Sequence, residues 1–165
     1  MKGDVRIRQA SAEEMLRLWG YADQESAPNT AKFFYRNISS GNAVFRAAEL
    51  DGELIGELYA FLRIETDKDF ADGSTTAYLC AFRVRKDFRG RGIGSRMMEA
   101  ALADLKARGF TRATIGADDA RNERFYRRMG FTRKVKDCCV DPCAMDENMQ
   151  PVRDEAGYVL LSEEL

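Results

Sequence analysis

The sequence predicts a mixed α/β (α+β) fold, with a central sheet of about six to seven strands flanked by about four helices. Two observations support this: segments of extended character recur along the chain, including one at 75–84 that is rich in β-branched and aromatic residues, and segments with apolar residues at helical spacing alternate with them. The predicted order is strand, two helices, three strands, helix, strand, helix, two strands. The 165 residues match one ordinary domain, so we expect a single domain over residues 1–165.

The first half of the chain opens with a strand and two helices. Apolar residues alternate with charged ones over 5–10, and Ser11 then precedes an acidic turn and an apolar set, which is typical of a capped helix. A second helix is predicted between the Pro28–Asn29 break and Gly41. Both helices are expected to pack on the sheet.

Three strands follow the second helix. Residues 43–50 and 53–64 are extended in character, and Asp51-Gly52 between them favours a two-residue hairpin turn, which needs positive φ. The polar stretch 67–74 is predicted to be a turn. Residues 75–84 form the third strand, which we expect to be central.

The second half contains the clearest helix of the chain, over 93–108, with its apolar residues on one face. A short strand around Ala113 and Ile115 and a helix over 123–129 come next. The chain is expected to re-enter the sheet from Phe131. A polar, turn-rich tail over 137–154 and a last strand over 158–161 complete the prediction.

Composition excludes several classes of protein. Twenty-six basic and twenty-seven acidic residues leave a net charge of −1, so no global field favours nucleic acid. The absence of a long apolar run predicts no membrane association and a cytoplasmic protein. The cysteines, Cys80, Cys138, Cys139 and Cys143, lack the spacing of a metal site or a disulfide framework, so we expect reduced thiols and no metal.

The sequence contains no histidine, which removes the commonest general base and every Ser-His or Cys-His nucleophile. Any proton transfer must therefore use a carboxylate, tyrosine, cysteine or water.

A glycine-rich stretch, Arg89 to Gly94, lies between a strand and the start of the long helix. Glycines at 90, 92 and 94 permit turns in which successive backbone N–H groups point at one anion, and the helix dipole adds positive potential. The stretch has neither the Gly-Lys-Ser/Thr ending of a P-loop nor the GxGxxG spacing of a dinucleotide fingerprint. It predicts a site for another phosphate-bearing ligand.

Two motifs together resemble the GCN5-related N-acetyltransferase (GNAT) family. Arg89-x-x-Gly92-x-Gly94 fits the family's Arg/Gln-x-x-Gly-x-Gly/Ala, and Phe125-Tyr126-x-x-x-Gly130-Phe131 fits its second segment. The resemblance covers nearly the whole order of elements, including the Asp51-Gly52 hairpin. It implies acetyl-CoA as cosubstrate, pyrophosphate on the loop amides and pantetheine beside the third strand. The implied cofactor-binding residues are Phe82, Arg83, Val84, Arg89, Gly90, Arg91, Gly92, Ile93, Gly94, Ser95 and Asn122.

The resemblance also implies the chemistry. The position of Tyr126 commonly supplies the general acid that protonates the departing CoA thiolate, and a phenol is neutral at pH 7. Many members carry a glutamate where this chain has Cys80, so the base is open: Glu57, Glu65, Asp119 or a water wire. Direct attack of an amine in a ternary complex needs no nucleophilic cysteine.

The acceptor and several roles stay open. The expected acceptor is a primary amine of a small molecule, and the acidic tail residues Asp137, Asp141, Asp146 and Glu147 favour a cationic one. Protein N-termini or lysines are the alternative. A CoA-binding sensor without turnover and an RNA-binding protein are rival functions. For Asp119 and Asn122, capping of the helix is as good an explanation as a role in the site. The arginines around 121–128 either bind the 3′-phosphate of CoA or form a solvated face. The last strand either pairs with a second copy of the chain, which would form a homodimer, or pairs with another strand of its own chain.

Overall fold

The computed structural model describes residues 3–165. Over these residues the chain forms seven strands and four helices, which confirms the predicted mixed α/β class. The strands are β1 (Arg6–Ala10), β2 (Ala43–Leu50), β3 (Glu53–Phe61), β4 (Thr76–Val84), β5 (Arg112–Ala117), β6 (Arg133–Met145) and β7 (Pro151–Glu164). The helices are α1 (Ala12–Trp19), α2 (Asn29–Ser40), α3 (Ile93–Ala107) and α4 (Ala120–Arg128).

One sheet contains all seven strands in the order β1-β2-β3-β4-β5-β7-β6. All neighbouring pairs are antiparallel except β4 and β5, which run parallel in the middle of the sheet. The β4–β5 pairing stops at Leu79 and Ile115, although β4 continues to Val84 and β5 to Ala117. The two strands therefore separate at their carboxyl ends and leave a gap.

The core lies on both faces of the sheet, which explains why the central strands are apolar nearly throughout. On one face α3 places Met97 and Leu105 against Leu79. On the other face α1 and α2 bring Met15 and Phe34 over the strands. Each helix thus buries the apolar face that its sequence periodicity predicts.

Local signals explain where α1 begins and ends. The Ser11 hydroxyl accepts a hydrogen bond from the Glu14 amide (3.1 Å), and the Glu14 carboxylate accepts one from the Ser11 amide (3.0 Å). Gly20 then ends the helix in the left-handed conformation at φ 87°. The predicted Ser11 cap is confirmed.

The carboxyl-terminal third differs from the prediction. The stretch 137–154, expected to be turn-rich, instead contains most of a long hairpin between β6 and β7. β6 is an edge strand, so its polar residues face water, and three register shifts interrupt its pairing with β7. Its sequence consequently lacks the apolar alternation of a half-buried strand. Smaller differences are that β3 ends at Phe61 and that α4 begins at Ala120.

Two further properties bear on function. Among residues 3–165 no helix is both long enough and apolar enough to cross a membrane. Within the same residues, no group of three or more His, Cys, Asp or Glu side chains is arranged to hold a metal ion. Cys80, Cys138, Cys139 and Cys143 are free thiols.

Candidate active site

The glycine-rich segment forms the amino-terminal approach to α3. Gly90 and Gly92 adopt φ values of 78° and 77°, and a Cβ added at either would meet no atom within 4 Å. Gly92 is the N-cap of α3 and offers no capping side chain, so the first amide groups of the helix remain available to a ligand. The local backbone therefore suits an anion.

A cleft of about 580 Å³, the glycine-loop cleft, lies in front of this segment. It is bounded by the end of β4, the glycine-rich segment and α4. The residues that line it are Phe82, Arg83, Val84, Phe88, Arg89, Gly90, Gly92, Ile93, Gly94, Ser95, Asp119, Arg121, Asn122, Phe125, Tyr126 and Arg128.

Nearly all predicted cofactor-binding residues thus meet in one cleft, and Arg91 is the exception. Its guanidinium stacks over the Phe88 ring (5.3 Å to the centroid) and donates to the Asp87 carbonyl (3.4 Å). Arg89 lines the cleft, and its guanidinium donates to the Val84 carbonyl (3.0 Å). Arg89 is consequently the loop arginine that can meet an anion there.

A second cavity, the central cavity of about 450 Å³, opens where β4 and β5 separate. Its walls come from β4, β5, α1, α2, α4 and the β6–β7 hairpin. The lining residues are Trp19, Thr30, Phe34, Tyr78, Leu79, Cys80, Ala81, Phe82, Arg83, Ile115, Gly116, Asp118, Asn122, Tyr126, Asp141, Cys143, Ala144, Asp154 and Tyr158.

The two cavities meet at four shared residues, Phe82, Arg83, Asn122 and Tyr126. Beside this junction β4 is irregular: Ala81 has φ 50°, and the register against β3 shifts between Glu57 and Tyr59. Such a bulge leaves backbone groups outside the regular ladder. The junction is therefore the place where a ligand in the cleft can meet a second molecule in the central cavity.

Tyr126 lies at this junction on α4. Burial, with a smaller contribution from the negative charges of Asp118 and Asp119, raises the pKa of its phenol to about 12. The phenol is therefore protonated at neutral pH and can donate a proton.

The neighbouring candidates on α4 have structural partners. The Asp119 carboxylate caps α4 by accepting from the Asn122 amide (2.7 Å), as one of the sequence alternatives predicts. The Asn122 side-chain amide donates to the Asp118 carboxylate (2.6 Å). Asn122 nevertheless lines both cavities, whereas Asp119 lines only the glycine-loop cleft.

Glu57 and Glu65, the two candidate bases on or after β3, occupy opposite environments. Glu57 is buried; one carboxylate oxygen accepts from the Trp19 indole (2.8 Å) and the Tyr59 hydroxyl (3.0 Å), and Arg83 lies 3.5 Å from the other. The Glu65 side chain is 79% exposed and pairs with Arg63. Only Glu57 lies near the junction, in a groove that shares Trp19 and Arg83 with the central cavity.

Sequence reasoning did not single out the acidic lining of the central cavity contributed by Asp118 and Asp154. Asp141 and Asp154 come from the β6–β7 hairpin, where their oxygens accept from the Cys143 and Gly157 amides (2.9 and 3.3 Å). Ion pairs within residues 3–165 involve none of these three carboxylates. The signal in the sequence was the acidic character of the tail, but its placement depends on a hairpin that the sequence does not reveal.

Solved structures with the same fold are acetyltransferases. An agmatine N-acetyltransferase aligns with a TM-score of 0.68 at 16% identity, covering 99% of this chain and 100% of that one. A Drosophila melanogaster polyamine N-acetyltransferase gives 0.64 at 15% identity and 98% and 99% coverage. A GNAT family acetyltransferase from Elizabethkingia anophelis with acetyl-CoA bound gives 0.62 at 16% identity and 98% coverage of both chains. These similarities show the fold.

The family itself is shown by the sequence. No curated protein matches the chain significantly. The model of the acetyltransferase (GNAT) family, however, matches residues 7–131, which is more than half of the chain and includes both motifs. The chain belongs to the GNAT family of acetyltransferases, enzymes for which acetyl-CoA is the acetyl donor.

Proposed function

We propose that the protein transfers the acetyl group of acetyl-CoA to a primary amine of a small, cationic molecule, by direct attack within a ternary complex. The observation that carries this proposal is the junction of the glycine-loop cleft and the central cavity at Tyr126. A donor held in the cleft and an amine held in the cavity would meet there. Holding two reactants in contact is itself a large part of catalysis.

The residues of the cleft suit acetyl-CoA. The free amides at the start of α3 and the Arg89 guanidinium fit the pyrophosphate, and the gap beside Phe82 to Val84 fits the pantetheine arm. In the reaction the amine nitrogen bonds to the acetyl carbon while the bond from that carbon to sulfur breaks. Tyr126 is the proposed donor of the proton that the departing thiolate takes up.

Glu57 is the proposed acceptor of the proton that the amine releases. Its burial and its bonds from Trp19 and Tyr59 hold the carboxylate in one position beside the junction. Because Glu57 lines the adjoining groove rather than the central cavity, the proton would reach it through water or through movement of Arg83. Glu65 is too far out on the surface to share this role.

The cavity favours a small cationic acceptor over a protein. The β6–β7 hairpin covers it and is held to α2, where the Met145 amide donates to the Thr30 hydroxyl (3.0 Å). Asp118, Asp141 and Asp154 supply negative charge to its walls. The related enzymes that act on agmatine and on polyamines support the same acceptor class.

A panel of amines tests this proposal. Acetyl-CoA is incubated with agmatine, spermidine, a neutral amine and a lysine-containing peptide, and free thiol is measured. We expect turnover with the multiply charged amines and a KM that rises about tenfold or more in Asp141→Asn and Asp154→Asn, since each loses a charged contact. Asp137→Asn, an exposed change on the same hairpin, serves as the control.

The outcomes separate the alternatives. Turnover confined to the peptide would replace the small-molecule acceptor by a protein acceptor. Binding of acetyl-CoA without thiol release by any amine would favour a sensor. Equal KM values in all hairpin variants would show that Asp141 and Asp154 do not bind the acceptor.

A further inference from the structure

The helix α4 presents a basic face to the glycine-loop cleft that the proposed chemistry does not use. Arg121, Phe125 and Arg128 recur at intervals of four and three residues, so they lie along one face of the helix. All three line the cleft together with the glycine-rich segment. Phe125 is 36% exposed, so an aromatic ring lies between the two arginines at the cleft surface.

The other two arginines of α4 are placed differently. Arg127 pairs with Glu123 (2.9 Å) and donates to the Thr132 carbonyl (2.7 Å). Arg124 is exposed and does not line the cleft. Arg121 and Arg128 take part in none of the ion pairs within residues 3–165, so neither guanidinium has a carboxylate within 4 Å.

We infer that Arg121 and Arg128 bind the 3′-phosphate of the donor and thereby select acetyl-CoA over its dephosphorylated form. The inference rests on the proposed donor site. The amides at the start of α3 and Arg89 can satisfy the pyrophosphate, so two further cations in the same cleft call for a second anionic group. The 3′-phosphate is the group of CoA that carries this further charge, and two guanidinium groups can bind it with charge-assisted hydrogen bonds.

Calorimetric titration of the intact protein with acetyl-CoA and with 3′-dephospho-acetyl-CoA tests the inference. Wild type is expected to bind the dephospho form about tenfold or more weakly, as loss of charge-assisted bonds requires. The double variant Arg121→Ala/Arg128→Ala is expected to bind both forms with the same affinity. Arg124→Ala changes the net charge of the same helix and is expected to retain the wild-type preference.

Each possible result shows whether Arg121 and Arg128 bind the 3′-phosphate. Equal binding of acetyl-CoA and its dephospho form by wild type would overturn the 3′-phosphate site at Arg121 and Arg128. An unchanged preference in the double variant would do the same, and either result leaves the donor site intact. Failure of wild type to bind either form would overturn the proposed acetyl-CoA site, and the 3′-phosphate site with it. Circular dichroism of each variant checks that the exposed substitutions leave the fold unchanged, and the wild-type comparison needs no variant.

Discussion

At the scale of single residues, the environment of Tyr126 decides its chemistry. Burial raises its pKa to about 12, with the charges of Asp118 and Asp119 adding to the effect. The phenol therefore remains the acid form across the pH range in which amines become nucleophilic. At the junction, the proposed recipient of that proton is the departing CoA thiolate.

Replacing Tyr126 by phenylalanine is expected to reduce kcat by about 100-fold, the usual contribution of a general acid, and to leave the dissociation constant of acetyl-CoA unchanged. Steady-state rates and calorimetry measure the two quantities. Tyr35→Phe, which removes a hydroxyl bonded to Glu13 on the surface (2.8 Å), is the control. An unchanged kcat in Tyr126→Phe would indicate that water, and not Tyr126, protonates the departing thiolate.

Cys80 supplies a second prediction at this scale. It lines the central cavity beside the junction, so it is the thiol best placed to act as a nucleophile if an acyl-enzyme formed. Because direct attack needs no such intermediate, Cys80→Ser is expected to retain kcat within about threefold. Loss of nearly all activity, together with parallel initial-velocity lines, would indicate a covalent mechanism.

At the scale of elements, α1 shows how local contacts stabilise the wall of the site. Its end carries Trp19, which bonds Glu57, and its start is held by the capping box of Ser11 and Glu14. Hydrogen bonds from Arg8 lower the pKa of Glu14 to about 2. A lowered folded-state pKa contributes stability above the ordinary value of 4.5, and this contribution is lost as pH falls toward 2.

The stability of the protein is accordingly expected to fall between about pH 4.5 and 2, and to fall less in Glu14→Gln. Urea denaturation at a series of pH values measures the free energy of unfolding. The control is Glu25→Gln, an exposed loop residue. An acid dependence that is the same in Glu14→Gln and wild type would contradict this account of α1.

The sequence predicted elements best where one local signal decided them. The cap at Ser11, the Asp51-Gly52 turn and the apolar face of α3 each depend on residues close in the chain, and each prediction is confirmed. The β6–β7 hairpin was missed because an edge strand with bulges carries no periodic signal. The acidic residues of the tail pointed to a cationic acceptor, but the place of Asp141 and Asp154 in the central cavity was missed, as it depends on that long-range pairing.

At the scale of the whole molecule, buried tyrosines tie stability to pH. Desolvation raises the pKa of Tyr59, Tyr78 and Tyr158 above 10, as it does for Tyr126. A raised folded-state pKa contributes stability that is fully present below the unfolded value of about 10 and is lost as pH rises toward the folded value. Alkali therefore favours the unfolded chain.

We expect the midpoint of thermal unfolding to decline steeply above about pH 10, and to decline less in Tyr59→Phe. Calorimetric scans from pH 8 to pH 11 follow the change, with Tyr35→Phe as a surface control. A midpoint that stays constant to about pH 11 would mean that these phenols ionise equally well in the folded protein.

The central claim is that the glycine-rich turn before α3 binds acetyl-CoA, and calorimetric titration with acetyl-CoA tests it most directly. Wild type is compared with Gly92→Glu, which places a carboxylate where the pyrophosphate is proposed to lie, and with Gly41→Glu. Gly41 has a similar φ, 85° against 77°, and equally open surroundings, so it reproduces the backbone strain outside the cleft. We expect micromolar binding by wild type and by Gly41→Glu, and loss of binding in Gly92→Glu. Unchanged binding in Gly92→Glu would mean that the glycine-rich turn is not the acetyl-CoA site.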